Sequence, residues 1–495
     1  MSSLKLLVAN RGEIAVRIFR ACRELGLRTV AVFSDSDRSA PHVTMADEAV
    51  RLGPAPARES YLSIPALLEA ARRTGARLVH PGYGFLAESA EFARACSEAG
   101  LTFVGPSAQA IEAMGSKTES RRRMQSAGVA VVPGTMRPAE SAAELSEFGR
   151  RHGFPILLKA SSGGGGKGMR RVERDDEVAA AFERTRSEAT AYFGDAAVYA
   201  EKLIEGPRHI EVQVIGDTQG RILAVGEREC SLQRRHQKVV EECPSPVVDD
   251  DLRERLSLAA VRAAEAVGYQ SCGTVEFLLA PDGSFYFLEM NTRLQVEHPV
   301  TEEVWGVDLA REMIRIALGE PLAFRGLSPR GHAIECRIYA EDPARGFAPS
   351  PGTVKVLRVP GGPGVRHDLG IEEGGIVPID YDPMLGKLIV HASDREAAIA
   401  RLSRALAEYE VGGVATTLPL FQALVSDPEF RRGAFDVQWL DRRLGQGLLG
   451  PTPLRSADVA LAAIGLAAHR NGAEPSAAGS PVSAWRSAAR RESLR

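Results

Sequence analysis

The sequence predicts a multidomain chain, α/β at its start and α+β beyond. Three observations carry that expectation. Its 495 residues exceed what a single hydrophobic core organises, which implies two to four domains. The opening residues alternate strand-like and helix-like apolar patterns, whereas later stretches pair β-rich runs across Gly/Pro turns and close on a helical pattern.

Residues 5–9 form a short apolar run, after which Ile14, Ile18, Cys22 and Leu25 recur at helical spacing. Gly26 stands where a helix ends, and residues 29–33 are β-branched and apolar. This is a βαβ unit with a parallel sheet. A helical stretch at 65–76 and strands at 78–79 and 102–104 extend it to about residue 115. The first turn, Asn10-Arg11-Gly12-Glu13, lacks the glycine fingerprint of a dinucleotide site, so residues 1–115 read as a Rossmann-like domain without that cofactor.

The texture changes near Val129. Pro133-Gly134 marks a joint, a polar helical stretch covers 139–152, and two strands flank Ser161-Ser162-Gly163-Gly164-Gly165-Gly166-Lys167-Gly168, a small lobe ending near Ile204. A Walker A loop is excluded, because Gly168 follows Lys167 where Ser or Thr is needed and a strand follows where a helix should. A glycine hairpin of this kind can lie over phosphates with its N–H groups inward while Lys159 adds positive charge. The same run also suits a plain surface turn. Further on, 252–267 reads as a helix, 321–331 as a break, and 332–445 as short strands closing with a helix at 395–409; residues 446–495 are rich in Ala, Gly, Ser and Pro.

Residues 273–280 and 285–291 form a hairpin around Pro281-Asp282-Gly283-Ser284. Pairing Ala280 with Phe285 sets Glu276 opposite Glu289, with Asn291 on the same face. Two opposed carboxylates destabilise a hairpin unless a cation lies between them, and Mg²⁺ bridging carboxylates and nucleotide phosphates resolves the conflict. A one-residue slip would leave two unrelated surface glutamates. In the next segment Arg293, Gln295 and Glu297 alternate, which in an extended chain puts a guanidinium, an amide and a carboxylate on one side, suited to a small oxyanion that must lose a proton. The alternative is a solvated edge strand. A third cluster, Glu201-Lys202-Leu203-Ile204 with His209 and Glu211, precedes the charged run 229–238 and reads as a solvated face or as a nucleotide and substrate wall.

Other classes are disfavoured. With 61 Lys+Arg against 64 Asp+Glu, the net charge of -3 offers no basic excess for nucleic acid. Six scattered cysteines without a C-x-x-C pair suit neither a disulfide framework nor structural zinc and fit a reducing, cytoplasmic setting. Apolar runs fall short of the ~20 residues of a membrane helix.

Together the segments Ala9-Asn10-Arg11-Gly12-Glu13-Ile14-Ala15, His80-Pro81-Gly82-Tyr83-Gly84-Phe85-Leu86, the Gly163 loop, 229–238, 289–301 and Tyr381-Asp382-Pro383-Met384 resemble the biotin carboxylase family, over residues 4 to 444. The resemblance implies an ATP-grasp domain at 116–330 with a mobile lid lobe at about 130–204, a C-terminal mixed α+β domain at 331–445, and a linker-like tail. It implies ATP binding by Lys117, Lys159, Gly165, Gly166, Glu201, Lys202, Ile204, His209, Gln233 and His236. Mg²⁺ or Mn²⁺ would be held by Glu276, Glu289 and Asn291, and bicarbonate by Lys238, Arg293, Gln295, Val296 and Glu297, the last as general base. Arg337 would face biotin. The implied activity is an ATP-dependent ligase forming carboxybiotin through carboxyphosphate. Because no methionine here precedes a lysine, biotin is expected on a separate biotin carboxyl carrier protein. A carboxyltransferase partner completing acetyl-CoA or another acyl-CoA carboxylase, fatty acid biosynthesis and a homodimer are further implications. The competing readings are an ATP-grasp ligase forming an amide or carbamoyl product and a non-catalytic structural component of a carboxylase assembly.

Overall fold

The opening pattern folds as strand Lys5–Val8, helix Gly12–Glu24 and strand Arg28–Ser34 in the computed structural model, which describes residues 4–135, 137–160, 169–193, 196–324 and 327–450. The helix buries Ile14, Ile18 and Cys22, and Gly26 adopts φ +70° to turn the chain back. Five parallel strands follow the order Glu48–Gly53, Arg28–Ser34, Lys5–Val8, Leu78–His80, Thr102–Phe103. Lys5–Val8 is central because Leu6, Leu7 and Val8 suit burial on both faces.

The Asn10 amide donates to the carbonyls of Pro81 and Tyr83, both at 2.7 Å. This ties the first turn to the loop after the fourth strand, at the carboxyl edge where α/β sheets form ligand crevices. Gly82 there has φ +65°, and a Cβ would sit 3.0 Å from Asn10 Nδ2, so no larger residue fits without displacement.

A small antiparallel sheet, Met169–Val172, Ile156–Ala160 and Val198–Lys202, is covered by helices Ala142–His152 and Val178–Phe193 over a core that includes Leu145, Leu158, Phe182 and Val198. The glycine loop with Gly165 and Gly166, and the expected closing movement with it, lies outside the described residues.

The largest sheet has eight antiparallel strands, in order Phe285–Asn291, Ser271–Leu279, Arg208–Gly216, Ile222–Arg234, Gln237–Cys243, His332–Tyr339, Met384–Ala392 and Val365–Leu369. It runs unbroken past residue 330, because His332–Tyr339 adds to the edge of Gln237–Cys243 with Val240 opposite Cys336 and Glu241 opposite Glu335. Residues through Leu448 accordingly form one compact unit. Helix Arg395–Glu408 does not close the fold: Leu418–Leu424, Pro428–Arg432 and Trp439–Gly445 follow, each too short to show a helical period in the sequence. All six cysteines are buried thiols, and among the described residues no helix is long and apolar enough to cross a membrane.

Candidate active site

Glu276 and Glu289 stand opposite one another across the hairpin, by a different count from the one the turn suggested. The pairing starts at Leu279 with Phe285, one residue short of the expected register, and would put Glu276 opposite Leu288. A bulge at Leu288 takes up the extra residue and restores the carboxylate pair. Asn291 Nδ2 and Gln295 Nε2 donate to Glu276 Oε1 at 2.8 and 3.2 Å, and His209 Nε2 lies 3.0 Å from Oε2. Burial opposes ionisation of Glu276, but Lys238 and His209 overcome it and hold its carboxyl well below the usual range. Glu289 is pushed the other way, by burial and by the charge of Glu276. Among the described residues no side chain donates to Glu289. An all-oxygen set with one strained carboxylate fits a hard divalent cation. Glu289→Gln is therefore expected to raise the melting temperature in Mg²⁺-free buffer, by relief of a cross-strand repulsion of ~0.2–1 kcal/mol, while increasing the Mg²⁺ needed for half-maximal ATP use. Thermal melts and a Mg²⁺ titration check both signs.

Behind this pair lies a buried charge chain. Lys238 Nζ donates to Glu211 Oε2 at 2.5 Å, Glu276 Oε1 at 2.9 Å and Glu297 Oε1 at 2.7 Å. Glu211 is also bound by Arg228 Nε at 2.5 Å, whose guanidinium is wholly buried and bonded to Gln213, Thr274 and Thr301. Arg337 Nη2 donates to the other oxygen of Glu297 at 2.9 Å, and Arg337 Nε to Glu241 Oε1 at 2.7 Å. Glu297 is fully buried, which favours its neutral form, yet Lys238, Arg337 and Arg228 hold its carboxyl well below the usual range. It is an ionised acceptor at neutral pH. The three carboxylates hold Lys238 firmly protonated in turn, despite its burial.

Arg293, Gln295 and Glu297 do not share an extended segment. The chain turns at Val296 and Glu297 into helix His298–Trp305, so alternation places only the first two side by side, with Arg293 Nη1 donating to Gln295 Oε1 at 2.8 Å. Arg293 also donates to Glu88 Oε2 and Asn291 Oδ1, both at 2.9 Å. Glu297 reaches the same cavity from the helix start, and Lys387 Nζ fixes the turn through the Val296 carbonyl at 2.7 Å. A proline at helix position two sets this geometry; the alternation gave no hint of it.

Of the expected nucleotide set, His209, Gln233 and His236 line the cavity, and Gln233 Nε2 lies 3.0 Å from His209 Nδ1. Arg235 and His236 both have positive φ, +50° and +67°, in the two-residue turn before Gln237–Cys243. Neither residue is glycine, and such strain clusters where a side chain has a task. Lys159 pairs with Glu201 in the small sheet, where Arg121 Nη1 also donates to Glu201 Oε1 at 2.7 Å. Lys202 Nζ donates to the carbonyls of Gly153 and Phe154, and Ile204 follows that strand half-buried. The Lys117 side chain lies outside the described residues; its backbone opens helix Lys117–Ser126.

The cavity measures about 850 Å³ and gathers Lys238, Glu276, Glu289, Asn291, Arg293, Gln295, Val296, Glu297 and Arg337 with His209, Gln233 and His236. Its wall also includes Arg11, Tyr83 and Tyr381 from the two other parts of the fold. Tyr83 donates to Glu13, and Arg11 lies 4.5 Å from the Tyr381 ring centroid while bonding Asp37 at 2.6 Å. These residues sit in segments that carried the family resemblance but had no assigned role. Glu88 and Glu241 also lacked one, and only contact with Arg293 and Arg337 reveals it, while Glu211, read with the charged wall, anchors Lys238.

The comparisons agree with this geometry. Residues 2–111 match the model for the biotin carboxylase N-terminal domain, 116–325 that for the ATP-binding domain of the carbamoyl-phosphate synthase L chain, and 335–442 that for the biotin carboxylase C-terminal domain. Biotin carboxylase of Halalkalibacterium halodurans is 51% identical over 431 residues, covering 87% of this chain and 95% of that protein. A pyruvate carboxylase subunit of Methanothermobacter thermautotrophicus is 51% identical over 440 residues, covering 88% of this chain and 89% of that protein. The solved biotin carboxylase domain dimer of Hydrogenobacter thermophilus 2-oxoglutarate carboxylase, in complex with MgADP and bicarbonate, superimposes with a TM-score of 0.81 at 45% identity, covering 90% of this chain and 98% of that one. A cavity lined from all three matched segments, together with these identities, means that the chain belongs to the biotin carboxylase family.

Proposed function

We propose that this protein carboxylates biotin with ATP and bicarbonate through carboxyphosphate, releasing ADP and phosphate. The observation that carries the reading is the ionised, buried Glu297 held between Lys238 and Arg337 and joined through Lys238 to Glu276 of the carboxylate pair. Arg293, Gln295, the Val296 backbone and Lys238 bind the bicarbonate oxygens. Glu297 takes the bicarbonate proton as the anion's oxygen bonds to the γ-phosphorus and the bond to the β-phosphate oxygen breaks. Lys238, with its three carboxylates, keeps its charge throughout and screens the meeting of two anions. Glu276, Glu289 and Asn291 would hold Mg²⁺ or Mn²⁺, which supplies charge neutralisation at the phosphates when bound. His209, Gln233, His236, Glu201, Lys202, Ile204, Lys117, Lys159 and the Gly165–Gly166 backbone bind the nucleotide. The C–O bond of carboxyphosphate then breaks to give CO2 and phosphate, the phosphate takes the ureido N–H proton of biotin, and that nitrogen bonds to CO2 while Arg337, with Arg293, stabilises the enolate oxygen of the deprotonated ureido group.

Biotin arrives on a separate carrier protein, and a carboxyltransferase completes an acetyl-CoA or other acyl-CoA carboxylase in the cytoplasm, as in fatty acid biosynthesis. A homodimer is supported by the Hydrogenobacter domain dimer. Pyruvate as final acceptor is the second reading, favoured by the Methanothermobacter relative. The test is ADP formation by the purified chain: it should require bicarbonate and rise with free biotin. ATP turnover that ignores bicarbonate and responds to an amine favours the amide-ligase alternative.

A further inference from the structure

The mechanism leaves unused a second pair of opposed carboxylates, Glu241 and Glu335, directly paired across Gln237–Cys243 and His332–Tyr339. Both are fully buried. Among the described residues Glu335 has no hydrogen-bond partner at either oxygen, and Glu241 has none at Oε2, while Glu241 Oε1 takes the Nε–H of Arg337. Arg337 thus lies between two carboxylates, Glu297 in the bicarbonate site and Glu241 behind it. Resting on the reading above, we propose that Glu241 is a positioning residue, which competes with Glu297 for Arg337 so that biotin can draw the guanidinium away from Glu297, and which leaves Arg337 to Glu297 alone when it takes up a proton.

The groups facing Glu241 are Lys238 on its own strand, Cys230 on the strand before, Glu335, Cys336 and Arg337 on the strand after, and Glu297 at the helix start. Burial pushes the Glu241 carboxyl up to about 7 and the Glu297 charge adds to this, against Arg337 and Lys238. Burial pushes the Glu335 carboxyl well above the usual range against the pull of Lys387, and the charge of Glu241 adds to this, so Glu335 is the neutral member of the pair. The sign follows. Above about pH 7 Glu241 is ionised and Arg337 is shared; below it the charge is lost and Arg337 pairs with Glu297 alone. Carboxylation of biotin should fall as pH drops through neutrality, with a limb that biotin-independent ATP hydrolysis lacks.

The experiment compares pH profiles of two activities of the full chain, carboxylation of free biotin and the slow bicarbonate-dependent ATP hydrolysis without biotin. Glu241→Gln is expected to lower carboxylation ~10–100-fold and to flatten its limb near neutrality, while changing the biotin-free hydrolysis less than about threefold. Glu241→Asp, which keeps the charge but withdraws it from Arg337, should retain the limb at a reduced rate, so the test stands even if the glutamine variant folds poorly. Wild-type rate and profile in either variant, or equal loss of both activities in both, overturns the assignment. A wild-type chain that does not carboxylate biotin at all overturns the functional reading, and this inference with it.

Discussion

Glu297→Gln is expected to abolish useful turnover, lowering bicarbonate-dependent ATP hydrolysis and biotin carboxylation together by ~10²–10⁴. The substitution keeps the shape of the side chain and removes its charge. Lys238 retains Glu211 and Glu276, and Arg337 retains Glu241, so the cations around the site stay paired and the fold should survive. What is lost is the carboxylate that Lys238, Arg337 and Arg228 together keep ionised. Because its carboxyl is held well below the usual range, the wild-type rate should show no acid limb from Glu297 between about pH 5 and pH 6. Parallel loss in steady-state assays of both activities checks the assignment; survival of either one counts against it.

Arg337→Ala is expected to separate the two activities. Transfer of the carboxyl group to biotin should fall by ~10²–10³, the usual loss when a donor to a developing oxyanion is removed. ATP hydrolysis without biotin should persist, because the proposed bicarbonate site keeps Lys238, Arg293 and Gln295, and Glu297, freed of one cation, becomes a stronger base. The cost falls on stability, since Glu241 and Glu297 lose a shared buried cation. A lower melting temperature with intact biotin-free hydrolysis is therefore the expected pattern. If Arg337→Ala and Glu297→Gln depress both activities in equal proportion, base and biotin arginine do not have separate roles.

The sequence made the first sheet readable because a βαβ unit writes its period into consecutive residues: Ile14, Ile18 and Cys22 lie on the buried face they suggested. The Glu276–Glu289 pair was legible for a weaker reason. The count from the turn was one residue off, and a bulge at Leu288 offset it, which alternation of side chains cannot foresee. Alternation failed at Glu297, where a turn replaces the strand. Joining His332–Tyr339 to Gln237–Cys243 across nearly a hundred residues was illegible for another reason: both strands mix buried charges with apolar residues, and no turn between them sets a register. The same joint creates the Arg337–Glu241–Glu335 cluster, so a site residue with no local motif stayed hidden until that pairing was known.

Formation of carboxybiotin in this cavity is the central expectation. Labelled bicarbonate, free biotin, Mg²⁺ and ATP, incubated with the purified full chain, test it directly. Acid-labile label recovered on biotin, dependent on ATP and absent with Glu297→Gln, is the result this account predicts; ATP consumed without label reaching biotin would contradict it.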